Sequence, residues 1–253
     1  MRTPVAALVC ASLIVAGCAG NPSRTASVER DPRAAQANLE LGLNYIQRGA
    51  YEQASDKLER ASAQDPRNPA IHAALALAHA QLREDETAEE HFRRALALAP
   101  GDFDTRLNFG SFLCSRDRYD AAVEQYERAW ETPGNRQPAV AFAGAGACMR
   151  NAGELEEAEH YLREALSLDA RLPYALMQMA ELSFEQERFF KTRAYLERYD
   201  EVARSNLRSL WLGYRTELGL GDRKAAGRYA DELLERFPES KQARAIRERE
   251  NEQ

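Results

Sequence analysis

The chain has 253 residues, with 34 Lys and Arg against 40 Asp and Glu, giving a net charge of −6. With no basic stripe in sight, this balance argues against a nucleic-acid partner and against electrostatic binding to anionic lipid heads. Acidic and basic residues interleave, as on solvated helix faces.

The first element in chain order, residues 1–17, reads as a secretory leader. Met1-Arg2 gives a short positive start, Val5 to Val15 is apolar, and small residues follow in Val15-Ala16-Gly17-Cys18. Such a run is too short for a spanning helix, which needs roughly 20 apolar residues. The cysteine after Val-Ala-Gly resembles the lipobox of bacterial lipoproteins. That resemblance implies an acylated Cys18 as the mature N-terminus; the other reading is an ordinary leader with a chance cysteine. Ala19, where Asp would retain a lipoprotein at the inner membrane, implies the periplasmic face of the outer membrane. Residues 18–33 (CAGNPSRTASVERDPR) then read as the lipidated cysteine and a flexible polar tether.

From residue 34 a spacing of 34 residues takes over. Leu41-Gly42, Tyr45, Ala54, Leu58, Ala61 and Pro66 align with Leu75-Ala76, His79, Ala88, Phe92, Ala95 and Pro100. Phe109-Gly110, Leu113, Ala122, Tyr126 and Ala129 follow in the same register. The pattern matches the tetratricopeptide repeat, two antiparallel helices per unit. The fold class is therefore all-α, a tetratricopeptide superhelix of about six repeats over residues 34–238. A break is expected at the Pro133-Gly134 to Pro138 loop after the third repeat. The fifth repeat is degenerate, with Thr192 and Tyr199 where alanines are usual, and the first helix of the sixth is one residue out of register. Residues 239–253 are almost wholly polar and read as a charged cap that frays into a tail.

No catalytic constellation stands out, so the chain reads as no enzyme, with no cofactor and no small-molecule substrate. His72 and His79 are seven apart and can share a helix face, but the sequence sets no further ligand beside them. A packed histidine at position 79, and no metal, is the expectation. Cys114 and Cys148 lie in the first helices of adjacent repeats. Outside the cytoplasm they form a disulfide or remain two small buried thiols.

The remaining candidate is the groove. In this fold, positions 2, 5, 9 and 12 of each first helix line the concave face. They place Leu39, Leu43, Ile46, Ala73, Leu77, Ala80, Leu107 and Ser111 there, with Ala143 and Ala147 in the fourth repeat. A groove that clamps a terminal carboxylate carries Lys and Asn instead. An apolar stripe suits an apolar or amphipathic partner segment, unless these side chains merely pack between repeats.

Three segments carry a family resemblance: Asn108-Phe109-Gly110-Ser111-Phe112-Leu113-Cys114, Gly146-Ala147-Cys148, and residues 203–213 ending in Leu210-Trp211-Leu212-Gly213. With the lipobox and six repeats, the chain resembles the type IV pilus biogenesis and stability lipoproteins, the pilotins PilF and PilW. The resemblance covers nearly the whole mature chain. It implies a lipid-anchored scaffold that binds the outer-membrane secretin subunit, brings it to that membrane and promotes its multimer. The run before Leu-Trp-Leu-Gly is longer than the family pattern, which leaves the fifth-to-sixth register open. The alternative is a lipidated repeat adaptor for cell-wall enzymes or outer-membrane assembly machinery, which requires an exposed polar or acidic surface.

Overall fold

The computed structural model describes residues 31–251. The leader, Cys18 and most of the tether lie outside that range. Among the described residues there are thirteen α-helices and no strand. Twelve form six hairpins: α1 (Pro32–Gln47) with α2 (Tyr51–Gln64), α3 (Pro69–Gln81) with α4 (Asp85–Leu98), and α5 (Phe103–Cys114) with α6 (Tyr119–Trp130). The other three are α7 (Pro138–Ala152) with α8 (Leu155–Leu168), α9 (Pro173–Glu185) with α10 (Phe189–Asp200), and α11 (Leu207–Gly219) with α12 (Arg223–Arg236). The last helix, α13 (Lys241–Asn251), closes the end.

Helix starts follow local chemistry. Pro32, Pro69, Pro138 and Pro173 each stand at the first turn, where the missing N–H costs nothing. The Asp31 carboxylate accepts from Arg33 N at 2.9 Å, so α1 begins inside the segment that the sequence reads as tether. The tether therefore ends two residues earlier than its polarity suggests. Asn206 and Ser209 form a reciprocal capping box at the start of α11.

Each hairpin turns through one left-handed residue. Three of these are glycines, Gly49, Gly153 and Gly221, and three are Arg83, Asp117 and Glu187, with φ of 65°, 57° and 56°. A side chain there crowds the following carbonyl. Within a hairpin, the two helices meet where the first has no side chain. A Cβ on Gly42 would lie 2.5 Å from Leu58 Cγ. The same sixteen-residue pairing recurs at Gly146 with Leu162 and at Gly213 with Tyr229. The last pair ties the helices of the sixth hairpin together despite the shift of register in its first helix.

The core runs the length of the array. Leu58, Phe92, Leu162, Leu196 and Leu233 are almost fully buried between hairpins, each contributing about 1.5–3 kcal/mol of transfer free energy. Thr192 and Tyr199, unusual in the degenerate fifth repeat, are buried too. The Thr192 hydroxyl donates to Arg188 O at 3.3 Å, and the Tyr199 hydroxyl accepts from Asn206 Nδ2 at 2.8 Å. These bonds meet the polar needs that alanine would not have had. At the Pro-Gly break, α6 stops at Trp130 and Asn135 Nδ2 donates to Ala129 O at 2.8 Å.

Successive first helices touch along the whole array: α1–α3, α3–α5, α5–α7, α7–α9 and α9–α11. Each second helix packs on the first helix of the next hairpin. The first helices therefore form the inner layer of a tetratricopeptide superhelix. The polar C-terminal segment ends the stack, because Ala243 and Ile246, three apart on α13, are fully buried against the last hairpin.

Candidate functional site

The inner layer carries the residues singled out for the groove, and their exposure separates them. Leu43 is 40 % exposed and Ser111 is also exposed. Ile46, Ala73, Leu77, Ala80 and Leu107 are half-buried. Leu77, Ala80 and Leu107 rest on the cluster of Phe92, Phe109 and Phe112, so each shows one edge to solvent and one to the core. Leu39 does not belong on the face. It is 5 % exposed and packed in one cluster with Ala35, Leu58, Ile71 and Leu75. Ala143 and Ala147 are likewise buried. At these positions the neighbouring first helix comes so close that small or aliphatic side chains are consumed by repeat-to-repeat packing. What is left is an apolar strip centred on Leu43 and Leu77.

The inner face of the last three hairpins is different. A cleft of about 710 Å³ is lined by Arg150, Glu181, Phe184, Arg208, Trp211 and Arg215, among others. Arg150 pairs with Glu181 at 3.0 Å and with Glu185 at 2.5 Å. Glu181 also accepts from Arg208, and the Arg215 guanidinium lies 4.4 Å from the centre of the Phe184 ring. These contacts join α7, α9 and α11. Behind them, Arg193 of α10 clamps Glu217 of α11, a carboxylate side chain only 4 % exposed. Sequence reasoning had no signal for these pairs, because their members lie 24–35 residues apart and the charges look like any solvated face.

Cys114 on α5 and Cys148 on α7 face each other, with sulfurs at bonding distance and Cα atoms 5.7 Å apart. That separation is in the usual range for a disulfide.

The histidines depart from expectation. His79 is buried, as a packed histidine should be. Yet His72 and His79 do not stand without a further ligand. His91, from α4, stacks beside both, with ring centres 5.3 and 5.5 Å away. Glu59 and Glu84 approach His79 from α2 and from the α3–α4 turn. Burial, and then the neighbouring His72 and His79, push the His91 imidazole below its ordinary value. His91 was missed because it lies on the partner helix of the hairpin. Superposing the two helices of the second repeat across their turn would have brought it alongside His79.

Among the described residues no helix is long and apolar enough to cross a membrane. Models of the tetratricopeptide repeat match residues 42–82, 69–112 and 145–171. The chain is 30 % identical over 220 residues to the type IV pilus assembly protein PilF of Pseudomonas aeruginosa, covering 87 % of this chain and 86 % of that one. It is 29 % identical over 149 residues to an uncharacterised protein of Haemophilus influenzae, covering 59 % of this chain and 83 % of the other. Among solved structures, that of Pseudomonas aeruginosa PilF aligns with a TM-score of 0.68 at 28 % identity, covering 86 % of this chain and 98 % of that one. The structure of PilW, a widely conserved type IV pilus biogenesis factor, aligns with a TM-score of 0.73 at 25 % identity, covering 85 % and 99 %.

Proposed function

The chain belongs to the family of the type IV pilus assembly protein PilF, and on that premise we propose that it is a pilotin: an outer-membrane lipoprotein that binds a secretin subunit and promotes its multimer. Its scaffold fold fits this role, because a tetratricopeptide array supplies an extended surface for another polypeptide. The observation that carries the reading is the apolar strip. Leu43 is an exposed leucine on the inner layer, continued by the half-buried Ala73, Leu77, Ala80 and Leu107. Such a strip takes the apolar side of a partner segment and shields it from strand-to-strand aggregation before its own neighbours arrive.

Acylation of Cys18 supplies the anchor, since stable attachment takes more than one acyl chain. A tether of about a dozen residues then reaches on the order of 20 Å to Asp31. The Cys114–Cys148 pair is oxidised in the periplasm and ties α5 to α7. A second reading, an adaptor for cell-wall enzymes or outer-membrane assembly machinery, is favoured by the charged cleft around Arg150 and Glu181.

Deletion of the gene tests the proposal. The expected result is joint loss of heat-stable secretin multimers, surface pili and twitching, with secretin monomer persisting away from the outer membrane. Normal multimers in the deletion strain, with hydrolases or assembly components co-purifying with the lipoprotein, would support the adaptor instead.

A further inference from the structure

Glu59 on α2, His79 on α3 and His91 on α4 each offer a ligand atom within 4.8 Å of the other two. None of the three belongs to the apolar strip. The surrounding hydrogen bonds fix which nitrogens hold protons. The Pro66 carbonyl can only accept, so His72 Nε2, 3.1 Å away, carries the hydrogen. A neutral His72 then has its lone pair on Nδ1, and His91 Nδ1, 3.1 Å from it, must be the donor. His91 is left with a lone pair on Nε2. His79 Nδ1 donates to the Glu84 carboxylate, which leaves a lone pair on its Nε2 as well.

That His79 Nε2 is buried and has no hydrogen-bond partner. The group it faces is a carboxylate: Glu59 Oε1 stands 3.8 Å away. A proton on Nε2 would draw Glu59 into hydrogen-bond range; at 3.8 Å an acceptor faces an acceptor. Buried polar groups without partners are rare and need an explanation. A cation between them is one.

We infer that Glu59, His79 and His91 form a site for a divalent first-row metal ion of zinc type, with further coordination by water. The donor set selects the class. Imidazole nitrogens suit zinc, nickel and copper, whereas calcium and magnesium want oxygen ligands. Zinc with metal–nitrogen distances of about 2.0–2.1 Å sets its ligands roughly 3.3 Å apart, so the 3.8 Å between His79 and Glu59 must close by about 0.5 Å and no separation in the set by more than about 1.5 Å. Glu59 can supply that movement, because its side chain is 58 % exposed. Glu84 on His79 Nδ1 is the carboxylate partner that orients a metal-binding imidazole. His72, hydrogen-bonded in turn to a backbone carbonyl, holds the His91 ring in the same way. The ion would clamp the first hairpin to the second.

Zinc titration of the full chain tests this, using protein without a polyhistidine tag, stripped of metal and with Cys114 and Cys148 oxidised. Calorimetry should give one zinc per chain. Saturating zinc should raise Tm by several degrees, an effect reversed by chelator and not reproduced by magnesium. Glu59→Gln changes an exposed side chain, so the metal-free protein should melt as before while zinc affinity falls at least tenfold. His91→Gln should remove the zinc-dependent rise in Tm, and His160→Ala should leave it. Absence of saturable uptake, or equal affinity in the parent and in Glu59→Gln, overturns the site. Glu59→Gln decides the question even if His91→Gln fails to fold, and neither outcome bears on secretin binding.

Discussion

Hairpins one to three and hairpins four to six are built from the same repeat, yet their inner faces diverge. Along the ninth position of each repeat the residues run Leu43, Leu77, Ser111, Ala147, Glu181 and Arg215. At the twelfth they run Ile46, Ala80, Cys114, Arg150, Phe184 and Leu218. In the first two hairpins these positions are apolar, and in the third the Ser111 hydroxyl bonds with the Tyr126 side chain. The later ones close a network of Arg150, Glu181, Glu185 and Arg208 that braces α7, α9 and α11 against one another. The packing positions, by contrast, stay alike: Ala54, Ala88, Ala122 and Ala158 are all fully buried. The repeat fixes the scaffold and leaves the inner face free to differ, apolar and partly exposed in the first two hairpins and bridged by ion pairs in the last three.

If the middle of the array is a covalent joint between the halves, reducing Cys114–Cys148 should cost about 4 kcal/mol in the chain-entropy model for a loop of this length. Urea unfolding with and without reductant measures it. Alkylation of the unreduced periplasmic protein followed by mass measurement should find no labelled thiol at either position.

If the second half is braced by its ion pairs, Arg193→Met should cost about 3 kcal/mol. That is the low end for breaking a buried pair, because Arg193 is itself 31 % exposed. A loss below 0.5 kcal/mol in urea unfolding would show that the Arg193–Glu217 pair does not brace α10 against α11. Leu77→Glu, in the first half, should cost roughly 2 kcal/mol, because only one edge of the side chain is buried. The smallest effect belongs to the turns. Arg83→Gly should stabilise by about 1 kcal/mol, since glycine relieves the left-handed strain. Gly153→Ala, at the matching turn of the fourth hairpin, should destabilise by a similar amount. Opposite signs in the two melting curves are the test.

The period of 34 residues made the hairpins legible, because small residues at the close approach and aromatics between repeats have steric causes that recur. Gly42 against Leu58 is such a case. What recurs least was least legible. Leu39 and Leu43 are four residues apart on one helix and look alike in sequence, but only Leu39 lies under the next first helix. His91 and Glu59 join His79 through the packing of three helices, which no spacing along one helix displays. The Arg150 network depends on which charge meets which across a seam. The polar tail reads as a cap in the sequence, but the full burial of Ala243 and Ile246 follows only from their spacing on a helix laid against Leu233.

The contact role proposed for the first half is tested most directly by one exposed residue in it. Leu43→Glu, measured for secretin-subunit binding with circular dichroism and melting on the same sample, should lose at least tenfold in affinity. Helicity should stay unchanged and Tm should stay close to the parent's, because an exposed substitution shifts stability by only about 0.5 kcal/mol. Parent-like binding by Leu43→Glu, together with loss of binding by Arg215→Glu in the charged cleft, would contradict the account and move the contact surface to the second half.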